Sequence, residues 1–370
     1  MSRSFVFACA AVVALCSPTA AQAASKGPTV TVMTRNLFLG ADLSPAINAP
    51  TIPAAIDGAG TVWNELQSTN FAERVVPLAR EIKASKADLV GLQEVALWRQ
   101  QTPSDGGAKP ISPLPGATPA TAVEVDFLAL LRAQLGSSYK VAVVQEEFDA
   151  ELPVDADASD ATGTGPLAAS GADFDARLTM RDVILVRKGS KVKLGKTKVG
   201  HYKTRYEPNV GGITIPVDRG WTSVEARVGK RKFRFVNTHL EAFGDPRIRL
   251  AQANELTKGP LKTSEQVILV GDLNSGDEKD HEPEKPGDEL AFAALTKFGM
   301  KNNGARQSCC YQNLFDPAQL FDHNVDHVLS KPGLKTIKAS ITGKDKAERT
   351  PSGLWPSDHG GVVSTVRLRG

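Results

Sequence analysis

Short β-rich runs, most of them ending in lone polar side chains, recur along the whole chain, and no other feature narrows its fold as much. Val30-Thr31-Val32-Met33-Thr34 leads to Asn36, and Asp88-Leu89-Val90-Gly91-Leu92 leads to Glu94. Phe233-Arg234-Phe235-Val236 leads to Asn237 and His239, and Val267-Ile268-Leu269-Val270 leads to Asp272 and Asn274. Asp326 sits inside Val325–Leu329, while Asp358 and His359 precede the closing run Gly361–Leu368. Runs of this length and composition are strands, and their continuous apolar character implies burial. A strand end holds a side chain rigidly while leaving it facing a crevice. One aspartate after a strand is ordinarily a turn or cap residue. A whole set of carboxylates, carboxamides and imidazoles at such positions is a candidate site.

Between the strands the period changes. Phe71 to Lys86 carries Val75, Leu78, Ala79 and Ile82 at helical spacing, and Val123 to Leu135 also reads as helix. Asp245 is placed to cap a helix over Pro246–Leu256, and Asp288–Lys297 is a further one. Val183–Val186 is a buried strand; Val192–Val199 and Trp221–Val228 alternate, and Gly229-Lys230 turns the latter into the Phe233 strand as a hairpin. Residues 41–70, 101–121 and 146–178 read as loop insertions, the last acidic, with Asp149, Asp155, Asp157, Asp160, Asp173 and Asp175. That stretch is expected to be a solvated loop, with a calcium site as the alternative. Helices mixed with hairpins and no fixed repeat point to one α/β domain built on two packed sheets.

The N-terminus reads as an export signal over residues 1–23: Arg3, the apolar run Phe5–Leu15, then Ala21-Gln22-Ala23 as a small-x-small cleavage site. The expected mature domain is 24–370, secreted or periplasmic, with no run long enough to span a bilayer and a monomer expected. Cys9 and Cys16 would leave with the signal, so only the adjacent Cys309 and Cys310 remain, which excludes a disulfide scaffold. They are expected to be structural. Lys plus Arg number 44 against 41 Asp plus Glu, a net charge of +3, which excludes a polycation that grips nucleic acid by bulk charge.

The strand-end residues suit one chemistry. Carboxylate and carboxamide oxygens are hard ligands that favour Mg²⁺, Mn²⁺ or Ca²⁺. No CxxC or HExxH spacing argues for zinc, no G-x-S-x-G elbow for a serine nucleophile, and no GK[ST] for a P-loop. Asp272 and Asn274, two apart in an extended segment, can face one side. One can orient a water while the other donates to a phosphoryl group, which is equipment for hydrolysing a phosphoester without a covalent intermediate.

Six motifs stand in order: Thr34-Arg35-Asn36-Leu37, Leu92-Gln93-Glu94, Asn237-Thr238-His239-Leu240, Gly271-Asp272-Leu273-Asn274-Ser275, Val325-Asp326-His327-Val328-Leu329 and Ser357-Asp358-His359. Together they resemble the signature set of the endonuclease/exonuclease/phosphatase superfamily, the DNase-I-like fold. The resemblance runs from about Val30 to Leu368. It implies a four-layer α/β/β/α sandwich and metal-dependent hydrolysis of a phosphoester, usually with Mg²⁺. By motif, it implies Glu94 as main metal ligand with Asn36 beside it and Asp358 near the metal. Asp272 would align or deprotonate the water, Asn274 would hold the phosphate, and His359 would contact a phosphate oxygen. Asp326 would orient His359 and keep it protonated, and His239 would face the phosphate from the other side. Arg181 and Arg219 are candidate substrate contacts, with surface charge as the alternative.

The sequence departs from the pattern in places. The apurinic endonucleases have Tyr where Thr238-His239 stands. Secreted deoxyribonucleases carry a carboxylate before the Val183-type strand to support the histidine; here the neighbours are Met180, Arg181 and Asp182. Three readings follow. A secreted phosphodiesterase acting on nucleic acid, a phospholipid head group or a small phosphate ester comes first. An inositol-phosphate or other phosphomonoester phosphatase comes second, and a non-catalytic binding protein on the same fold third.

Overall fold

A computed structural model describes residues 27–106, 118–157, 171–277 and 286–370. The export segment, its cleavage site and Asp160 lie outside these. In chain order the first half comprises β1 (Thr29–Asn36), α1 (Ser44–Ile47), α2 (Ile52–Ser68), α3 (Phe71–Ser85), β2 (Leu89–Gln93), β3 (Leu97–Gln101), β4 (Ala122–Asp126) and α4 (Phe127–Leu135). There follow β5 (Tyr139–Val154), β6 (Phe174–Arg187), β7 (Val192–His201), β8 (Asn209–Val210), β9 (Ile213–Thr214), β10 (Gly220–Val228) and β11 (Arg231–His239). The remainder is α5 (Pro246–Lys258), β12 (Gln266–Asp272), α6 (Leu290–Lys297), β13 (Lys301–Asn302), β14 (Asp326–Lys331), β15 (Lys335–Thr342) and β16 (Gly361–Arg367).

One sheet has the order β15-β16-β1-β2-β6-β3-β4, with β5 also paired to β6; the other runs β13-β14-β12-β11-β10-β7. Alternation along each strand sorts the apolar residues into layers. Val30 and Val32 of β1, Leu89 of β2, Phe233 and Phe235 of β11, Ile268 and Val270 of β12, Val328 and Val362 fill the space between the sheets. Met33, Val90 and Leu92 face the other way, into a core shared with α2, α3 and α4. Val236, Val267 and Leu269 pack outward against Ala253 and Leu256 of α5 and Leu295 of α6. These cores make the expected α/β/β/α sandwich. Burial of each Phe or Leu side chain contributes about 2 kcal/mol. Gly91 marks where the sheets approach closely, because a Cβ there would collide with Asn237 and Val270 of the opposite sheet.

Three expectations need correction. Residues 41–70 are mostly helix: Thr51 caps α2 through a hydrogen bond from Ala54 N, and Ala55, Ala59, Val62, Trp63 and Leu66 form a buried stripe. Its glycines are contact points, Gly58 against the Pro45 backbone and Gly60 against that of Asp155, where any side chain would collide. The stretch from Val123 is strand before it is helix, since β4 pairs with β3 and helix α4 starts only after its cap Asp126. The described part of the acidic insertion is largely a long hairpin, β5 pairing with β6 from Tyr139↔Arg187 out to Val154↔Phe174.

Candidate active site

The same alternation builds the site. Residues two apart on a strand share a face. Asn36 follows Val30 and Val32, Asn237 and His239 follow Phe233 and Phe235, and Asp272 follows Ile268 and Val270, so all enter the inter-sheet layer at one end. Asp326, two before Val328 on antiparallel β14, arrives at that end too, opposite Asp272. All five are buried. Glu94 comes from the turn after β2, with φ +56°, a left-handed conformation that a glutamate adopts only at a cost.

Oxygen donors converge there. Asn36 Nδ2 donates to Glu94 Oε1 at 3.0 Å and to Asp272 Oδ2 at 3.1 Å. Glu94 Oε2 accepts from Leu39 N at 2.7 Å, and Asp272 Oδ1 from Asn274 N at 2.8 Å. Burial pushes the Asp272 carboxyl up to about 7, with the His359 charge pulling against it and Asp326 adding to the rise. Burial likewise lifts Asp358 to about 6, opposed by His359 and reinforced by Glu94.

The two imidazoles are in opposite states. His359 Nδ1 lies 2.9 Å from Asp326 Oδ2, with its Nε2 3.7 Å from Asp272 Oδ2 and 4.0 Å from Asp358 Oδ1. Burial opposes its charge, but Asp326, Asp358 and Asp272 outweigh that and hold its pKa well above the usual imidazole value. His239 is driven well below that value by burial, then by Arg219 and His359. Arg219 Nη1 lies 2.9 Å from His239 Nδ1. A guanidinium only donates, so Nδ1 accepts and the neutral ring carries its proton on Nε2, 3.6 Å from Asp272 Oδ2. Asn274 Nδ2 closes the group, 3.2 Å from His239 Nε2 and donating to Leu240 O at 3.0 Å.

The architecture agrees with the sequence comparison. The pattern of the Endonuclease/Exonuclease/phosphatase family matches residues 62–359. The chain belongs to the endonuclease/exonuclease/phosphatase family. No curated protein is significantly similar in sequence. An endonuclease/exonuclease/phosphatase family protein from Bacteroides thetaiotaomicron superposes with a TM-score of 0.54 at 14% identity, covering 93% of this chain and 100% of that one. A mannosyl-6-phosphatase from the same organism gives 0.51 at 15% identity, covering 91% and 99%. A family member from Bacteroides vulgatus gives 0.50 at 17%, covering 92% and 100%. Members of the family are phosphoester hydrolases. These structural likenesses are likenesses of fold.

Within the family frame, the donor set fits a hard divalent cation. Glu94 and Asp358 offer oxygen ligands on one side of the cluster, while Asn36 turns its Nδ2 to Glu94 and Asp272 and its Oδ1 to Phe38 N at 2.9 Å; Asp272 and Asp358 are raised chiefly by burial. A cavity of about 580 Å³ opens beside Glu94, Asp358, Arg219 and Cys310.

The two arginines are not free substrate contacts. Arg181 is buried and donates to Val95 O at 2.8 Å, to Ala96 O at 3.0 Å and to Asp126, so it braces the turn that carries Glu94. Arg219 lines the cavity, but its guanidinium is committed to Glu241 at 3.5 Å and to His239. It stands at His239 Nδ1 where the resemblance implies a supporting carboxylate, and it disfavours the ring's charge instead of sustaining it. Asp182 itself is buried nearby, raised well above the carboxylate range by burial, with Arg219 opposing and Glu94 and Asp272 adding.

Other participants carried no sequence signal as partners. Asn237 accepts from Gln93 Nε2 at 2.5 Å and donates to Leu92 O at 3.0 Å, locking the two sheets beside Glu94. Arg74 of α3 donates to Leu37 O, Phe38 O and Pro356 O, tying together the loops that follow Asn36 and precede Asp358. Ser308 Oγ donates to Asp326 Oδ2 at 2.8 Å. Cys309 and Cys310 form a vicinal disulfide whose sulfurs lie 3.6 and 3.9 Å from His359 Nε2, at the site rather than in a remote loop.

Proposed function

We propose that this chain is a divalent-metal-dependent phosphodiesterase that hydrolyses its substrate by direct attack of water. The observation that carries the reading is the convergence of Asn36, Glu94, Asp272 and Asp358 with the His359–Asp326 pair at one end of the inter-sheet layer. A Mg²⁺ or Mn²⁺ ion held by Glu94 and Asp358, with Asn36 Nδ2 orienting Glu94, would supply Lewis-acid polarisation of a phosphoryl oxygen. Asp272 Oδ2, with its raised affinity for a proton, accepts one from the attacking water. His359 Nε2 donates to a non-bridging oxygen, its charge sustained by Asp326 at Nδ1, and so stabilises charge that develops in the transition state. His239 Nε2 and Asn274 donate from the other side.

A diester is favoured over a monoester by the cations. Arg219 is the one Lys or Arg lining the cavity among the described residues, and Glu241 and His239 already occupy it. A dianionic monoester calls for free guanidinium or ammonium groups. The reading includes export through the Arg3, Phe5–Leu15 and Ala21-Gln22-Ala23 segment, which N-terminal sequencing of protein recovered outside the cytoplasm would test. The reaction itself is tested by pairing bis-p-nitrophenyl phosphate with p-nitrophenyl phosphate, both with Mg²⁺ and with Asp272→Ala as control. Faster, Asp272-dependent turnover of the monoester would reverse the reading.

A further inference from the structure

The cavity beyond the catalytic cluster has a lining that a polyanionic substrate would avoid. Its walls carry the aromatic rings Phe38, Phe148, Phe243 and Phe315, and its rim carries Asp42 and Glu65. Phe38 is backed by Arg74 and Phe243 by Tyr206, which fixes both rings from behind, and Phe315 is 46% exposed. The two rim carboxylates adjoin: Glu65 Oε2 accepts from Asp42 N at 3.0 Å, and Asp42 Oδ1 accepts from Ser44 N at 2.9 Å. Neither reaches a Lys or Arg side chain among the described residues. Burial raises the Glu65 carboxyl, the bond from Asp42 N opposes this, and the Asp42 charge raises it further.

Aromatic faces attract cations through the ring quadrupole, most strongly when the cation is poorly hydrated, and adjacent carboxylates add to that attraction. We infer that this cavity receives a quaternary ammonium group on one arm of the scissile phosphodiester, held by the four rings and by Asp42 and Glu65. The inference rests on the phosphodiesterase reading and names its substrate class. The opposite charge pattern follows for the phosphate itself: one negative charge is met at the metal-ligand cluster, and further phosphates would face Asp42 and Glu65.

The test uses the full chain with Mg²⁺ and three substrates: p-nitrophenyl phosphorylcholine, its uncharged isostere p-nitrophenyl 3,3-dimethylbutyl phosphate, and bis-p-nitrophenyl phosphate. The choline ester should exceed the isostere about tenfold or more in kcat/KM, a preference of the size expected for a desolvated cation on aromatic faces. The double variant Asp42→Asn, Glu65→Gln should bring that ratio close to one while leaving turnover of the isostere unchanged. Tetramethylammonium should inhibit hydrolysis of the choline ester by the unmodified protein at an ionic strength where Na⁺ does not. Equal turnover of choline ester and isostere, or no effect of tetramethylammonium, would overturn the inference while hydrolysis of the bis ester keeps the phosphodiesterase reading. Failure to hydrolyse any of the three would refute that reading and this inference with it.

Discussion

Replacing Asp326 by Asn keeps the shape of the side chain and removes only its charge. Asp326 is fully buried, and its Oδ2 serves both His359 Nδ1 at 2.9 Å and Ser308 Oγ at 2.8 Å. A hydrogen bond to an ionised partner contributes about 1.5–3 kcal/mol, and each 1.4 kcal/mol is about tenfold in rate, so kcat should fall roughly 10- to 100-fold. The sign of the pH effect follows from the same contact. Burial disfavours imidazolium, and the surrounding anions overcome it. With Asp326 neutral, burial gains ground and the pKa of His359 falls. The variant should therefore lose activity at a lower pH than the unmodified protein and recover part of it on acidification. Asp358 and Asp272 remain near Nε2, so the recovery should be real and measurable. The assay is a kcat–pH profile with bis-p-nitrophenyl phosphate, beside His359→Ala and the double variant. The double variant should be little worse than His359→Ala alone. Losses that add, or a profile that does not move, would refute the pairing.

His327 predicts a stability change. Buried against Phe292, with Nε2 2.9 Å from Ser275 O, it is pushed down to about 4 from its ordinary 6.5, chiefly by burial. Below pH 6.5 the unfolded chain therefore takes up a proton that the folded one refuses. Stability should fall by about 3 kcal/mol between pH 6.5 and 4 from this group alone. Urea midpoints of unmodified protein and His327→Gln at both pH values should show the difference shrinking in the variant; an unchanged difference would exclude His327 as its source. Arg181→Met should cost about 2–4 kcal/mol by removing the bonds to Val95, Ala96 and Asp126, and raise the Mg²⁺ concentration for half-maximal activity because the Glu94 turn loosens; a variant that melts earlier with unchanged Mg²⁺ demand would confine the residue to stability. Cys309→Ser with Cys310→Ser puts hydroxyl groups beside His359 Nε2 and should change kcat several-fold, the effect of about one hydrogen bond. Unchanged kcat in that variant would return the pair to a purely structural role.

The sequence made the strand layers readable because each strand obeys a period of two that one face must bury. That period also carries Asn36, His239, Asp272 and Asp326 to one end of the sandwich, so their meeting was legible from their offsets to Val32, Phe235, Val270 and Val328. Helix α2 was not legible, because its Gly58 and Gly60 look like loop residues until the backbones they touch are known. Strand β15 carries no such signal, because it lies at the sheet edge, mostly exposed, and has no apolar run. The partner of His239 depends on pairing between separate strands: the register Trp221↔Thr238 swings Arg219, just before β10, alongside the end of β11. Nothing within either motif announces that contact. The approach of Cys309 and Cys310 to His359 likewise requires a loop between β13 and β14 to fold back over β16.

On the proposed reading, oxygen ligands around Glu94 hold a divalent cation that water needs in order to cleave a phosphodiester. The most direct measurement is turnover of bis-p-nitrophenyl phosphate by exhaustively chelated protein as Mg²⁺ or Mn²⁺ is titrated back, run beside Glu94→Gln. Chelation should abolish turnover, either ion should restore it, and the Glu94→Gln variant should stay folded yet need far more metal or fail to respond. Full activity in the chelated protein, or a Glu94→Gln variant with an unaltered metal titration, would contradict that reading.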